Sequence, residues 1–395
     1  MPGELDARFE ANHALLVAAR ERLQAAVDAE TASKQDRTRL DTVNDLLRPV
    51  LTAEADASGN VVPVQRYRHF WSVDVEGQGR AVEVLGDLSS ARNVALLVPG
   101  MGNSLETFGG QADRGEAIRH EAGPGTAVIV WLDYDSPQGI PAAMSKAPAL
   151  EAAPRLAAFI DSVSEVKLPS AMVTVVGHSY GTEVVGQALL NGAHPDRVVM
   201  TGSPGIDKHV DQATDLVAPP TRLYVERAPG DYVAYTQWHG PDPADFPDAI
   251  RMATADPLAS DEAVSVHWHN EYYRTNSESL RNVGRVVRGD LAHISRTDTT
   301  PMQETHLAWG PGLRKLSGAA AKVYDGVVAV TNPTRETARR ATETSRRPDG
   351  SHQPADGSRQ PADGSRRPGS VPDGARIPSR PVGPAHSRRP RGPQR

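Results

Sequence analysis

Five short apolar runs, separated by stretches of helical spacing, most limit what this chain can fold into: Val94-Ala-Leu-Leu-Val98, Ala127-Val-Ile-Val-Trp131, Met172-Val-Thr-Val-Val176, Arg197-Val-Val-Met200 and Arg222-Leu-Tyr-Val225. An unbroken apolar run of this length suits a strand whose sheet is covered on both faces. Helical patterns over 149–163 and 182–190 fall between the runs. Alternation of this kind predicts an α/β architecture: a mostly parallel sheet flanked by helices on both sides.

The sequence on either side of this alternation has a different character. Leu5, Phe9, Leu16, Leu23 and Val27 recur at helical spacing, and Val43, Leu46 and Leu47 suggest a second helix that Pro49 ends. Residues 1–60 therefore read as an N-terminal helical region that packs on the body, with a partner-binding arm as the alternative. The β-branched and aromatic runs over 67–74 and 80–85, separated by Gly77 and Gly79, predict a hairpin that opens a body spanning 61–332. From residue 333 to 395 the chain becomes rich in Pro, Gly, Ser and Arg. It contains the near repeats Pro354-Ala-Asp-Gly-Ser-Arg359 and Pro361-Ala-Asp-Gly-Ser-Arg366. Such a tract has too little apolar surface to offset ordering entropy, and it is expected to be disordered.

Charge is divided unevenly between these regions. Residues 335–395 hold 14 Arg against 6 Asp plus Glu, a balance of +8, which leaves −14 for the rest of a chain whose net charge is −6. An acidic body is a poor match for phosphate, so no nucleic acid is expected at the body 61–332; the basic tail could contact an anionic partner. The absence of cysteine excludes disulfides, thiolate metal sites and a cysteine nucleophile. The N-terminus lacks a basic segment followed by an apolar run, and no stretch has the length of a spanning helix, so a cytoplasmic location is expected.

The chemistry concentrates at Gly177-His178-Ser179-Tyr180-Gly181, a G-x-S-x-G between an apolar strand pattern and the helical run 182–190. A sharp turn there exposes the Ser179 hydroxyl, and the two glycines let strand and helix approach. A serine needs a base to take its proton and an acid to orient that base. Asp231 follows the strand 222–225 through a Pro-Gly turn and is the preferred acid; Asp207, after the preceding strand, is the runner-up. His269 is the preferred base, near the end of an extended segment in Val264-Ser-Val-His267-Trp-His269, with His239 a weaker competitor. His178 reads as a packed or hydrogen-bonded elbow residue. The loop Pro99-Gly-Met101-Gly102 can aim a backbone N–H at a developing oxyanion, from Met101 or else Gly102, with the Tyr180 N–H as the second donor. His267 and His269 alone make a weak metal pair, so neither a metal nor another cofactor is expected.

Together, Leu97-Val-Pro-Gly-Met-Gly-Asn103, Gly177-His-Ser-Tyr-Gly181, Ala228-Pro-Gly-Asp231, His239-Gly-Pro-Asp-Pro243, His269-Asn-Glu-Tyr272 and Ser279-Leu-Arg-Asn282 resemble an actinobacterial α/β-hydrolase family catalogued as a domain of unknown function. The resemblance covers roughly 66–288. It implies an α/β-hydrolase fold, the triad Ser179, Asp231 and His269, and a helical region ahead of the catalytic part. The polar Asn270-Glu271 pair departs from it, where smaller residues are expected. The expected function is a serine hydrolase that cleaves an ester or related acyl bond of a small-molecule or lipid-like substrate through an acyl-enzyme. An acyltransferase with the same residues and a non-catalytic scaffold are the competing readings. The Pro-rich stretch 238–264 has room for a small cap.

Overall fold

The computed structural model describes residues 2–55, 61–219, 221–229, 231–254 and 268–297. The chain starts with two helices, α1 (Pro2–Asp28) and α2 (Lys34–Leu47). Ser33 caps α2 in a reciprocal capping box with Asp36, and the helix stops two residues before Pro49. A hairpin of β1 (Val50–Ala55) and β2 (Val61–Arg66) follows, which the sequence pattern did not suggest.

The main sheet is built from β3 (His69–Asp74), β4 (Arg80–Leu85), β5 (Asn93–Val98), β6 (Thr126–Leu132), β7 (Met172–His178), β8 (Arg197–Thr201), β9 (Arg222–Glu226) and β10 (Ile250–Arg251). Its spatial order is β10-β9-β8-β7-β5-β6-β4-β3. β4 runs antiparallel to both of its neighbours; all other pairings are parallel. This is the α/β-hydrolase fold. The chain leaves β5 for β6 on one side and then returns to β7 on the other, so the strand order reverses around β5. Open α/β sheets bind ligands in the crevice beyond the carboxyl ends of the strands at such a reversal. The loop after β5 and the turn after β7 both open there.

Alternate residues of β5 face two cores. Val94, Leu96 and Val98 join one cluster with Leu156 and Ile160 of α5 (Ala147–Val166) and with Val184 and Val185 of α6 (Tyr180–Leu190). Ala95 and Leu97 join the other with Ile118 of α3 (Phe108–Ala122) and with Leu280, Val283 and Val286 of α8 (Glu278–Arg288). The short helices α4 (Ile140–Ala143) and α7 (Tyr232–Tyr235) lie in loops beyond β6 and β9.

The N-terminal helices belong to the first of these cores, which contains Leu16, Leu23, Val43 and Leu46. Each such burial contributes about 1.5–3 kcal/mol relative to exposure. Buried Asn12 of α1 donates to the carbonyls of Phe70 and Trp71, both at 3.0 Å, where β3 breaks register. That contact covers an edge strand at the point where a bulge frees its backbone groups. Among the described residues no helix is long and apolar enough to cross a membrane. The tail expected to be disordered, 333–395, lies outside the described residues.

Candidate active site

β7 ends in an elbow. Ser179 has φ 56° and ψ −131°, a conformation that costs of order 1–3 kcal/mol unless its surroundings impose it. They do so from both sides. The Ser179 N–H donates to Thr201 O on β8 at 3.0 Å, and the Thr182 N–H and hydroxyl donate to Ser179 O at 2.9 and 2.7 Å. A Cβ on Gly181 would lie 2.2 Å from Val98 O and 2.8 Å from Pro99 O, so only glycine lets α6 start this close to the loop after β5. Gly100 is equally confined: its Cβ would sit 2.8 Å from that of Ser179.

The structure brings Ser179, His269 and Asp231 into one hydrogen-bonded line. His269 Nε2 lies 2.6 Å from Ser179 Oγ, and Nδ1 lies 2.9 Å from each Asp231 carboxylate oxygen. These partners assign the proton to Nδ1 and leave Nε2 as the acceptor for the hydroxyl. Asp231 is fully buried and also caps α7, accepting from the N–H groups of Val233 and Ala234. The Tyr272 hydroxyl donates to its second oxygen at 2.7 Å while accepting from Ala228 N at 2.9 Å. Burial, followed by the Asp231 charge, raises the Tyr272 phenol well above its ordinary range and keeps it a donor. Sequence reasoning missed Tyr272; its signal was only its position three residues after His269. His269 itself is on a 3₁₀ stretch, Trp268–Tyr273, rather than at a strand end. His267 and the extended segment expected at 264–267 lie outside the described residues.

The alternatives lie elsewhere. Asp207 accepts from Lys146 Nζ at 3.0 Å, and the buried His239 packs edge-on against the Tyr180 ring.

Behind Ser179, the Gly100-Met101-Gly102 loop is held by its carbonyls. Tyr134 OH donates to Pro99 O at 2.6 Å, and Ser136 Oγ and Asn103 Nδ2 donate to Gly100 O at 2.9 and 2.8 Å. Gln111 Nε2 in turn donates to Asn103 Oδ1 at 2.7 Å. Of the two loop candidates, the Gly102 N–H is engaged, donating to Pro137 O at 3.0 Å. Among the described residues neither the Met101 nor the Tyr180 N–H has a hydrogen-bond acceptor.

His178 fastens the histidine loop from beneath. Its Nε2 donates to His269 O at 2.7 Å, and its Nδ1 accepts from Arg114 at 3.4 Å; Arg114 also donates to Asn270 Oδ1. Asn270 is therefore tied to α3. Burial first, then the neighbouring His269 and Arg114, hold His178 well below the ordinary histidine range, so it stays neutral. Replacing His178 with Phe removes both contacts and frees the His269 backbone. A displacement of about 1 Å at a reacting group can cost about 10²-fold. His178→Phe is expected to lower kcat on a simple ester by that order with little change in KM, as steady-state kinetics would show.

On the other side of the elbow, Glu183 of α6 is buried. Burial pushes its carboxyl up to about 8, against the pull of Lys146 Nζ at 3.8 Å and Gln187; Asp207 adds to the rise. The folded state therefore holds a proton that the unfolded chain releases near the ordinary value of 4.5. Its stabilising contribution is full below that value and is lost as pH rises towards about 8. Glu183→Gln cannot titrate. Its melting temperature is expected to match the wild type near pH 4.5 and to exceed it increasingly up to pH 8, checked by thermal denaturation across that range.

Part of the stretch read as a possible cap is described. Arg227 pairs with Asp242 and Asp245, both at 2.9 Å, and ties residues 242–245 to the end of β9. Residues 255–267 lie outside the described residues. Among the described residues no cluster of three or more His, Cys, Asp or Glu could hold a metal ion.

Residues 74–240 match the protein family described as alpha/beta hydrolase. The chain is similar to an uncharacterized protein of Mycobacterium tuberculosis, 28% identical over 247 residues, which covers 54% of this chain and 37% of the relative. It is also similar to an uncharacterized protein of Mycobacterium bovis, 29% identical over 192 residues, covering 44% and 71% of the two chains. The chain thus spans well under half the length of the first of these relatives. Among solved structures, a carboxylesterase from Mesorhizobium loti aligns with a TM-score of 0.30 and 18% identity, over 43% of this chain and 86% of that one. An esterase from Rhizomucor miehei aligns with a TM-score of 0.35 and 12% identity, over 72% and 96%.

Proposed function

We propose that this protein is a serine hydrolase that cleaves an ester or related acyl bond through an acyl-enzyme, with Ser179 as nucleophile, His269 as base and Asp231 as the orienting acid. The observation that carries the reading is the 2.6 Å contact from Ser179 Oγ to a histidine whose other ring nitrogen faces a buried carboxylate. His269 Nε2 takes the hydroxyl proton as Ser179 Oγ bonds to the acyl carbon, and Asp231 stabilises the imidazolium that forms. The N–H groups of Met101 and Tyr180 receive the oxyanion, each such donor being worth about 2.7–4 kcal/mol of barrier. His269 then returns its proton to the leaving alcohol; water repeats the sequence and releases the acid. The match of residues 74–240 to the alpha/beta hydrolase family supports the same reading.

A lipid-like acyl group suits the surface beside the elbow. Met101, Met144 and Trp238 are exposed there, with Trp238 Nε1 donating to Met144 O and Tyr180 OH donating to Ser145 O. The test is turnover of p-nitrophenyl esters of increasing chain length. Hydrolysis well above that of Ser179→Ala supports the proposal; equal rates in the two proteins contradict it.

A further inference from the structure

Beside the oxyanion loop lies a cavity of about 400 Å3 that none of Ser179, His269 or Asp231 lines. This volume falls in the range of about 300–1,000 Å3 typical of small-molecule sites. Its floor is joined to the loop by hydrogen bonds: Ser136 Oγ donates to Gly100 O, Asn103 N–H donates to Ser136 Oγ, and Gly102 N–H donates to Pro137 O. Both features open at the carboxyl edge of the sheet, after β5 and β6. A group seated in the cavity is therefore positioned against the same short loop that faces Ser179.

The lining specifies the kind of group. Gln138 Nε2 is engaged by Gln78 Oε1, Asn103 O and Ser136 O, which leaves Gln138 Oε1 and Gln78 Nε2 without partners among the described residues. Glu151 and Arg155 lie four residues apart on α5 and line the cavity without a mutual ion pair, while the Arg155 charge acts at longer range on Asp133 and Asp135. Asp135 is neutralised by a two-pronged contact with Arg80, at 3.1 and 2.7 Å. The cavity thus offers separate donors and acceptors in near balance, with no net charge to select an ion. Pro137, Ala142 and Pro148 add apolar faces. Donors and acceptors around an apolar face fit a neutral group that carries several hydroxyls on a hydrocarbon skeleton.

We propose that this cavity receives the alcohol side of the substrate, and that the alcohol is polyhydroxylic, a sugar or a polyol. The inference rests on the serine-hydrolase reading of Ser179. The acyl carbon bonds to Ser179 Oγ, its bond to the sugar oxygen breaks, and that oxygen leaves with the proton from His269.

The test compares kcat/KM for glucose monooctanoate and ethyl octanoate in the wild type, in Glu151→Ala and in Ala142→Trp, which fills the cavity from an exposed position on α4. The wild type is expected to favour the sugar ester by about tenfold or more, through KM, equivalent to about 1.4 kcal/mol. Both variants are expected to bring the ratio towards one. A wild-type ratio near one, or a ratio unchanged in both variants, overturns the inference about the cavity. Labelling of Ser179 by a fluorophosphonate, measured on the same preparations, separates the two failures. Labelling with a flat ratio removes the cavity alone, and a wild type that does not label removes the hydrolase reading together with the subsite built on it.

Discussion

Ser179→Ala and His269→Ala are each expected to lower kcat on a p-nitrophenyl ester by at least about 10⁴-fold, and the double variant is expected to be no worse than the poorer single one. The non-additivity follows from the geometry. With Nε2 at 2.6 Å from Oγ, the base has no task without the hydroxyl, and the hydroxyl is inert without the base. Asp231→Asn is expected to cost about 10⁴-fold in kcat, because it removes the charge that compensates the imidazolium and sets its tautomer. KM should change little in all of them, since the line of three touches the reacting atoms rather than the rest of the substrate. Steady-state kinetics on variants with native circular dichroism provide the check. Losses that multiply in the double variant would mean that the two residues act separately.

Gly181→Ala is expected to cost both stability and activity. Its Cβ would lie 2.2 Å from Val98 O, 2.8 Å from Pro99 O and 3.0 Å from Pro99 C, all backbone atoms that no rotamer change can move. Relief requires α6 to retreat from the end of β5, and that movement carries the Tyr180 N–H and Ser179 away from the Met101 loop. Overpacking of this kind typically costs about 1–3 kcal/mol, and the backbone clash places this variant at the upper end or beyond. Gly109→Ala or Gly110→Ala on α3 is the matching control. Nothing lies within 4 Å of a Cβ at either position, so the substitution should be neutral or stabilise by up to about 1 kcal/mol. Thermal denaturation and ester turnover, measured on all three, separate a local clash from a general intolerance of added methyl groups.

Much of this architecture was legible because burial leaves a simple mark. The runs at 94–98, 127–131, 172–176, 197–200 and 222–225 became β5 to β9, since a strand covered on both faces must be apolar throughout. The elbow was legible because its steric demands fall on residue types: glycine at 177 and 181, and a polar residue at 179 that accepts a positive φ. Helix α3 was not, because Phe-Gly-Gly-Gln-Ala-Asp-Arg-Gly carries little apolar periodicity and places glycines where a helix meets the sheet. The hairpin of β1 and β2 and the two-residue β10 were equally hidden, the last because so short an element has no period to read.

At the site, both His239 and His269 follow Asp231, and sequence reasoning preferred His269 because it closes an extended pattern ahead of the helical run 277–287. The structure supplies a physical reason for the difference, since His239 is engaged against Tyr180 while His269 spans Ser179 and Asp231. Tyr272 escaped because it acts through another residue, and His178, read as a packed or hydrogen-bonded elbow residue, gave no sign of which partners it holds. Tyr272 fixes Asp231, and His178 fixes the backbone of His269 across 91 positions of sequence. No local pattern encodes contacts of that range.

The most direct measurement is fluorophosphonate labelling of the 395-residue chain, with the adduct located by mass spectrometry in wild type, His269→Ala and Ser179→Ala. The expected result is one adduct on Ser179 in the wild type, strongly slowed in His269→Ala and absent in Ser179→Ala. A folded wild type that acquires no adduct, or one whose adduct persists in Ser179→Ala, would contradict an activated Ser179 nucleophile.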